Sequence, residues 1–230
     1  MKIIFLNALE GQIDEAKQFV QQQSVDTDIF CFQESYNFSD PKIFCLDQLR
    51  DFNYVTNNKW TNDFDKYSNA TFFQKKYINT DTQAIGELDE NVGLGLFTCL
   101  KTPNNQTINL CNFHGHARPG DKQDTPFRLR QSQLIIDFFK NLSTPKIIGG
   151  DFNLDINTKS VSMFEDHGFR NLIKEFNIPT TRNKIVWDQY VDKQLYADFL
   201  FVSPDVKVVN FSVPNLLISD HLPMILEIEI

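Results

Sequence analysis

Lys146-Ile147-Ile148-Gly149-Gly150-Asp151-Phe152-Asn153 is the stretch on which the reading of this chain turns. Its apolar opening, residues 146–149, reads as a buried strand. The run ends in a carboxylate and a carboxamide two residues apart, so both side chains can point into one site. Aspartate there offers a hard oxygen ligand or a general base, and asparagine a neutral donor and acceptor. Gly, Asp and Asn also build ordinary turns, and on this stretch alone a turn is an equal reading.

Working outward, residues 2–6, 29–33, 92–100, 107–113 and 199–203 form further apolar runs, and apolar–polar alternation continues through 206–213 and 224–230. Ile13, Ala16, Phe19 and Val20 recur at helical spacing, as do Leu134, Ile135, Phe138 and Phe139 after a first turn near Pro126. Ile43, Leu46, Leu49 and Arg50 suggest a short helix after Pro41. Several strands follow one another with no helix between them. That predicts two packed sheets with outer helices rather than a doubly wound sheet. The absence of an internal repeat or a linker-like break makes residues 1–230 a single expected domain. Residues 54–91 and 182–195 are polar and weakly periodic, and they yield no assignment.

Polar groups close one apolar run after another. Asn7 ends the first, Glu34 follows the second in FQES, and His114 ends another in NFHGH. Asp151 and Asn153 follow in GGDFN, Asp198 opens ADFLFVS, and Asp220 and His221 stand in SDHLP. Singly, each is as well explained by a solvated strand end or a turn. Core packing gives no reason for them to recur at one relative position, whereas a shared site along one edge of a sheet sandwich does.

The charge of −8, from 22 basic and 30 acidic residues, disfavours a protein that grips nucleic acid by phosphate attraction alone. It leaves open an enzyme that meets phosphate through a divalent metal, which brings its own charge. Cys31, Cys45, Cys99 and Cys111 form no C-x-x-C pair, and those at 31, 99 and 111 sit in apolar runs as expected for buried free thiols. Asn7 and Glu10 interrupt the opening apolar run too early for a signal-peptide core, and no stretch has the length of a membrane span. A monomer in the reducing cytoplasm is the expectation.

The order FQES, GGDFN, ADFLFVS, SDHLP, running from Asn7 to the last strand, resembles the endonuclease/exonuclease/phosphatase superfamily of metal-dependent phosphoesterases. The resemblance implies a four-layer α/β sandwich, two mostly antiparallel β-sheets flanked by helices. It implies magnesium or manganese as cofactor, with Glu34 the principal ligand, Asn7 beside metal and phosphate, and Asp220 orienting a histidine or helping to hold metal. Asp151 would align or deprotonate water, Asn153 would hold a phosphate oxygen, and His221 would contact the phosphate in the transition state. Asp198 would pair with a catalytic histidine, and His114 matches a strand-end histidine. The implied reaction is hydrolysis of a phosphodiester, with DNA and RNA among the candidate substrates. A phosphatase of a small phosphorylated molecule or phosphoinositide is the alternative, and a non-catalytic binding module a more distant one.

Residues 114–132 look particular to a subgroup. Arg128 and Gln131, one helical turn apart, match an R-x-x-Q of the family, in which the Arg fixes an active-site loop or touches phosphate. Lys122, Arg118 and the stretch Thr180-Thr181-Arg182 read as solvated loop.

Overall fold

The computed structural model describes all residues except 38–41, 58–67, 87–93, 144 and 188–192. Two six-stranded sheets pack face to face. The first has the order β13 (Lys207–Ser212), β14 (Met224–Glu229), β1 (Lys2–Asn7), β2 (Ile29–Gln33), β6 (Ala70–Gln74), β5 (Phe52–Thr56). The second runs β11 (Arg170–Asn171), β12 (Asp198–Val202), β10 (Lys146–Asp151), β9 (Thr107–His114), β8 (Leu94–Lys101), β7 (Ile78–Ile85). Each is mixed in the same way, with one central parallel pair, β1 with β2 or β10 with β9, flanked by antiparallel neighbours.

The central strands read as unbroken apolar runs because both their faces are covered. On β1, Ile3 and Phe5 enter the core between the sheets, while Ile4 and Leu6 face the outer layer containing α1 (Asp14–Gln23). On β2, Ile29 and Cys31 face inward and Phe30 and Phe32 outward. Beyond the second sheet lie α2 (Pro126–Lys140), α3 (Lys159–Asp166) and the short α4 (Leu172–Glu175); the last short helix is α5 (Lys184–Trp187). The order helix, sheet, sheet, helix is the expected four-layer α/β sandwich. α2 begins where Pro126 suggests, with the Thr125 hydroxyl accepting from the Arg128 N–H at 3.1 Å.

Differences are local. The helix expected after Pro41 is instead a two-residue strand, β4 (Lys42–Ile43), followed by turns, because Cys45 adopts φ 58° and breaks any helical run. β4 pairs with β3 (Tyr36–Asn37). Strands β5, β6 and β7 occupy the polar region that gave no assignment, and residues 92 and 93 of the expected strand lie outside the described residues. Cys31 and Cys111 are buried as expected, but Cys99 is only partly so. No helix among the described residues is long and apolar enough to cross a membrane.

Gly149 and Gly150 lie inside β10, so the turn reading of GGDFN fails there. A Cβ on Gly149 would stand 2.4 Å from the Leu200 side chain and 2.9 Å from the Phe5 ring. Gly150 holds φ +134°, and a Cβ there would come 2.1 Å from the Phe113 carbonyl oxygen. Beneath this close approach the sheets are joined by amides. Asn112 donates to the carbonyls of Phe32 at 3.1 Å and Ala70 at 3.0 Å, and accepts from Gln33 Nε2 at 2.7 Å. Asn112→Ala leaves the two carbonyls without that partner, whereas Gln33 Nε2 keeps the Cys31 carbonyl at 3.3 Å. At about 1–3 kcal/mol for each orphaned group, the expected loss of unfolding free energy in urea is about 2 kcal/mol or more. A loss below about 1 kcal/mol would show that water replaces the amide and that the joint is not structural.

Candidate active site

The register brings the polar strand ends together. Asp151 stands opposite both His114 on β9 and Asp198 on β12. Because β12 is antiparallel, its first residue meets the last residue of β10. Across the sandwich, β1 delivers Asn7 to the same end, and Glu34 follows β2 with φ 47°.

Asp151 is the hub, buried to 2% exposure. Its Oδ2 accepts from Asn7 Nδ2 at 3.1 Å and lies 3.7 Å from His114 Nε2 and 3.6 Å from His221 Nε2. Its Oδ1 accepts from the Asn153 backbone N–H at 2.9 Å. Burial alone would raise its pKa, but the charges of His221, His114, Lys122 and Arg182 hold it well below the usual carboxylate range. His221 Nδ1 sits 2.9 Å from both oxygens of Asp198. Burial would push the imidazole down; Asp198 first, then Asp220 and Asp151, overcome that and the opposing Arg182, and lift it to about 9. With Nδ1–H bound to Asp198, the charged ring keeps Nε2–H for another acceptor.

Glu34, His114 and Asp151 each offer a ligand atom within 4.8 Å of the others. Glu34 Oε1 and Asp151 Oδ2 share one Asn7 amino group, at 3.0 and 3.1 Å. Two carboxylates converging at this distance repel, and a hard divalent cation between them relieves that repulsion. The Glu34 side chain, 25% exposed, leaves an open side for water or substrate oxygens. The donor set therefore fits a divalent cation. Asn7 Oδ1 accepts from the Leu9 N–H at 3.0 Å, and its amino group faces the two acids and gathers them. Asp220 joins neither cluster of metal-binding geometry among the described residues. Its Oδ2 accepts from Arg182 Nη2 at 2.9 Å and lies 3.7 Å from His221 Nε2.

Three basic residues also depart from expectation. Arg128 is fully buried and spends its guanidinium on its own loop. It donates to the carbonyls of His116 at 3.2 Å, Ala117 at 3.4 Å, Gln123 at 2.5 Å and Pro119, and to Asp121 at 3.2 Å. It fixes the loop, as one of its two expected roles had it, and has nothing left for phosphate. Gln131 on the same face accepts from the His116 N–H at 2.9 Å and donates to the Phe152 carbonyl at 3.2 Å.

Arg182 and Lys122, read as solvated, are buried. The Thr180–Arg182 stretch knits the site together: Thr181 Oγ1 accepts from the Ala197 and Asp198 N–H groups at 3.1 Å, and Arg182 bridges His221. Arg182 Nε has no hydrogen-bond partner among the described residues. Lys122 donates to Asn153 Oδ1. Neither residue lies on a periodic element, so apolar spacing carries no sign of them. Arg118 is exposed as expected.

The pattern of the endonuclease/exonuclease/phosphatase family matches residues 6–221. No curated protein sequence matches the chain. Similar solved structures include a mannosyl-6-phosphatase of Bacteroides thetaiotaomicron VPI-5482, at 17% identity and TM-score 0.74, with all of both chains covered. An endonuclease/exonuclease/phosphatase family protein from Bacteroides thetaiotaomicron has 18% identity and TM-score 0.77, covering 99% of this chain and 97% of its own. The catalytic domain of human nocturnin with bound sulfate has 15% identity and TM-score 0.72, covering 100% and 94%. At such identities these likenesses concern the fold.

The raised His221 pKa has a consequence for stability. A group charged more readily folded than unfolded stabilises fully below its unfolded value, about 6.5 for histidine, and less as pH rises. That contribution is lost as pH passes through about 9. Without added metal, unfolding free energy is therefore expected to fall between these values, and His221→Gln to flatten the fall. An unchanged slope in the variant would detach His221 from the Asp198 charge.

Proposed function

Because the chain belongs to the endonuclease/exonuclease/phosphatase family, we propose that it is a divalent-metal-dependent phosphodiesterase whose substrate is a nucleic acid or another phosphodiester. One observation carries the reading. A single buried oxygen, Asp151 Oδ2, has Asn7, His114 and His221 around it at 3.1, 3.7 and 3.6 Å, with Glu34 across the shared amide.

Phosphodiester hydrolysis needs charge neutralised on the equatorial oxygens and a nucleophile held in line. Magnesium or manganese, held by Glu34 with Asp151 and His114 beside it, supplies part of that neutralisation when bound. Asp151, held ionised by the cations around it, would align the attacking water as a hydrogen-bond acceptor or take its proton. The Asn153 amide holds a phosphate oxygen. The His221 imidazolium, fixed by Asp198, donates from Nε2 as negative charge develops.

A phosphomonoester is the second reading. The Arg182 guanidinium, buried against Asp220 beside His221, is a further positive charge that a dianionic phosphate would draw on. A panel of bis-p-nitrophenyl phosphate, p-nitrophenyl phosphate, plasmid, single-stranded DNA, RNA, abasic-site oligonucleotides and phosphoinositides separates the two.

Two variants test the assignment of roles. Glu34→Gln keeps shape but loses charge, so activity should collapse at limiting Mg²⁺ and return in part with excess Mn²⁺. His221→Ala should lower turnover by about 10²–10⁴ while calorimetric Mn²⁺ binding stays near wild type. Wild-type turnover in His221→Ala would remove the imidazole from the reaction and overturn the phosphoesterase reading of this site.

A further inference from the structure

Lys122 stands against three ordinary preferences. Lysine is rarely buried unless paired, yet Lys122 is 8% exposed and has no carboxylate in ion-pair contact among the described residues. Its backbone holds φ 60°, which costs a residue with a Cβ. Burial lowers its pKa, opposed by Asp151 and Asp198 and reinforced by Arg182 and Arg128.

The loop that carries it is nevertheless tied down. Arg128 binds it through the contacts above. The Lys122 carbonyl accepts from the Asp155 N–H at 2.7 Å, and the Gly120 carbonyl from Gln194 Nε2 at 2.5 Å. Asp124 accepts from the first N–H groups of α3, Lys159 at 2.6 Å and Ser160 at 2.9 Å. All this bonding delivers one ammonium to one neutral atom, Asn153 Oδ1.

That contact decides which way the Asn153 amide faces. An ammonium only donates, so the oxygen must face it; the Gly115 carbonyl only accepts, so the amino group must face that, at 3.0 Å. The Asn153 backbone is pinned by Asp151 Oδ1 and a φ of 56°. One amino hydrogen is then used by Gly115, and the second has no acceptor among the described residues, which leaves it for a ligand. Without the ammonium the Gly115 carbonyl alone holds the amide through one N–H, and no donor on the oxygen side opposes a flip that would turn a carbonyl oxygen toward the phosphate.

We propose that Lys122 is a positioning residue of the active site: by donating to Asn153 Oδ1 it locks the carboxamide with an N–H turned toward the bound phosphate. The proposal rests on the phosphoesterase reading of the site.

Replacement by Met, apolar and of similar length, separates positioning from support of the fold. Removing a buried unpaired charge should leave Lys122→Met at least as stable as wild type in thermal unfolding. Its kcat/KM on bis-p-nitrophenyl phosphate with saturating Mn²⁺ should fall about 10²-fold, in the range seen when one preorganised donor is lost. The loss should vanish in an Asn153→Ala background, because Lys122 acts through that amide. In ¹⁵N NMR without metal or substrate, the Asn153 side-chain amide pair, identified by its absence in Asn153→Ala, should shift or broaden in Lys122→Met. Should Met perturb folding, Lys122→Leu, which likewise removes the donor, serves the same cycle.

Wild-type kcat/KM in Lys122→Met, an additive cycle with Asn153→Ala, or an unmoved amide pair would each overturn the proposal. If Asn153→Ala and His221→Ala themselves leave the rate intact, the phosphoesterase reading falls and the catalytic part of the proposal with it. The amide resonance then still decides whether Lys122 sets the orientation of Asn153.

Discussion

Asn112 joins the two sheets at the point where every other feature of the site depends on their spacing. Its amide bonds two carbonyls and the Gln33 side chain of the opposite sheet, and its own carbonyl accepts from Asn69 Nδ2 at 3.1 Å. Apolar packing sets an average separation between sheets but tolerates sliding. Buried hydrogen bonds across the interface do not, since each displaced donor or acceptor is left without water. Gly149 and Gly150 sit where space is short on both sides: an added Cβ would meet Leu200 or Phe113 of the neighbouring strands first, and Phe5 or Gln33 of the opposite sheet next.

From that fixed spacing the site follows by register. Each sheet puts a parallel pair at its centre, so two strands of each sheet end at the same edge. Asn7 and Glu34 come from one sheet, His114 and Asp151 from the other, and the antiparallel β12 adds Asp198 at its start. The residues between Asp198 and His221 are far apart in sequence, yet Thr181 ties them: its hydroxyl holds the Asp198 N–H and its carbonyl accepts from Leu222 N at 2.8 Å. Side chains carried on strands and braced in this way are held more tightly than side chains on free loops.

What was legible in the sequence is what periodicity and strand termination encode. The eight apolar runs became strands because burial on one or both faces leaves a pattern. The acids, amides and imidazoles at their ends stood out because nothing apolar explains them. Strands β5 and β7 were not legible: both are edge strands with exposed residues, so neither carries a buried face along its length. Arg182 and Lys122 were misread for a different reason. A loop residue is buried by what folds over it, and that depends on Arg128, Asp124 and the α3 N-terminus, all set by tertiary contacts. Arg128 shows the reverse. Its spacing with Gln131 was visible, but which atoms it would bind was not.

Charge at the site bears on the substrate. Glu34, Asp151, Asp198 and Asp220 gather with His114, His221, Lys122 and Arg182, so acids and bases are interleaved and neither sign dominates the cluster. On the phosphoesterase reading, a divalent cation would add the positive charge that a phosphate needs there. On that reading a chain of net charge −8 would meet an anionic substrate through a few buried cations and the metal beside them, not through its overall charge.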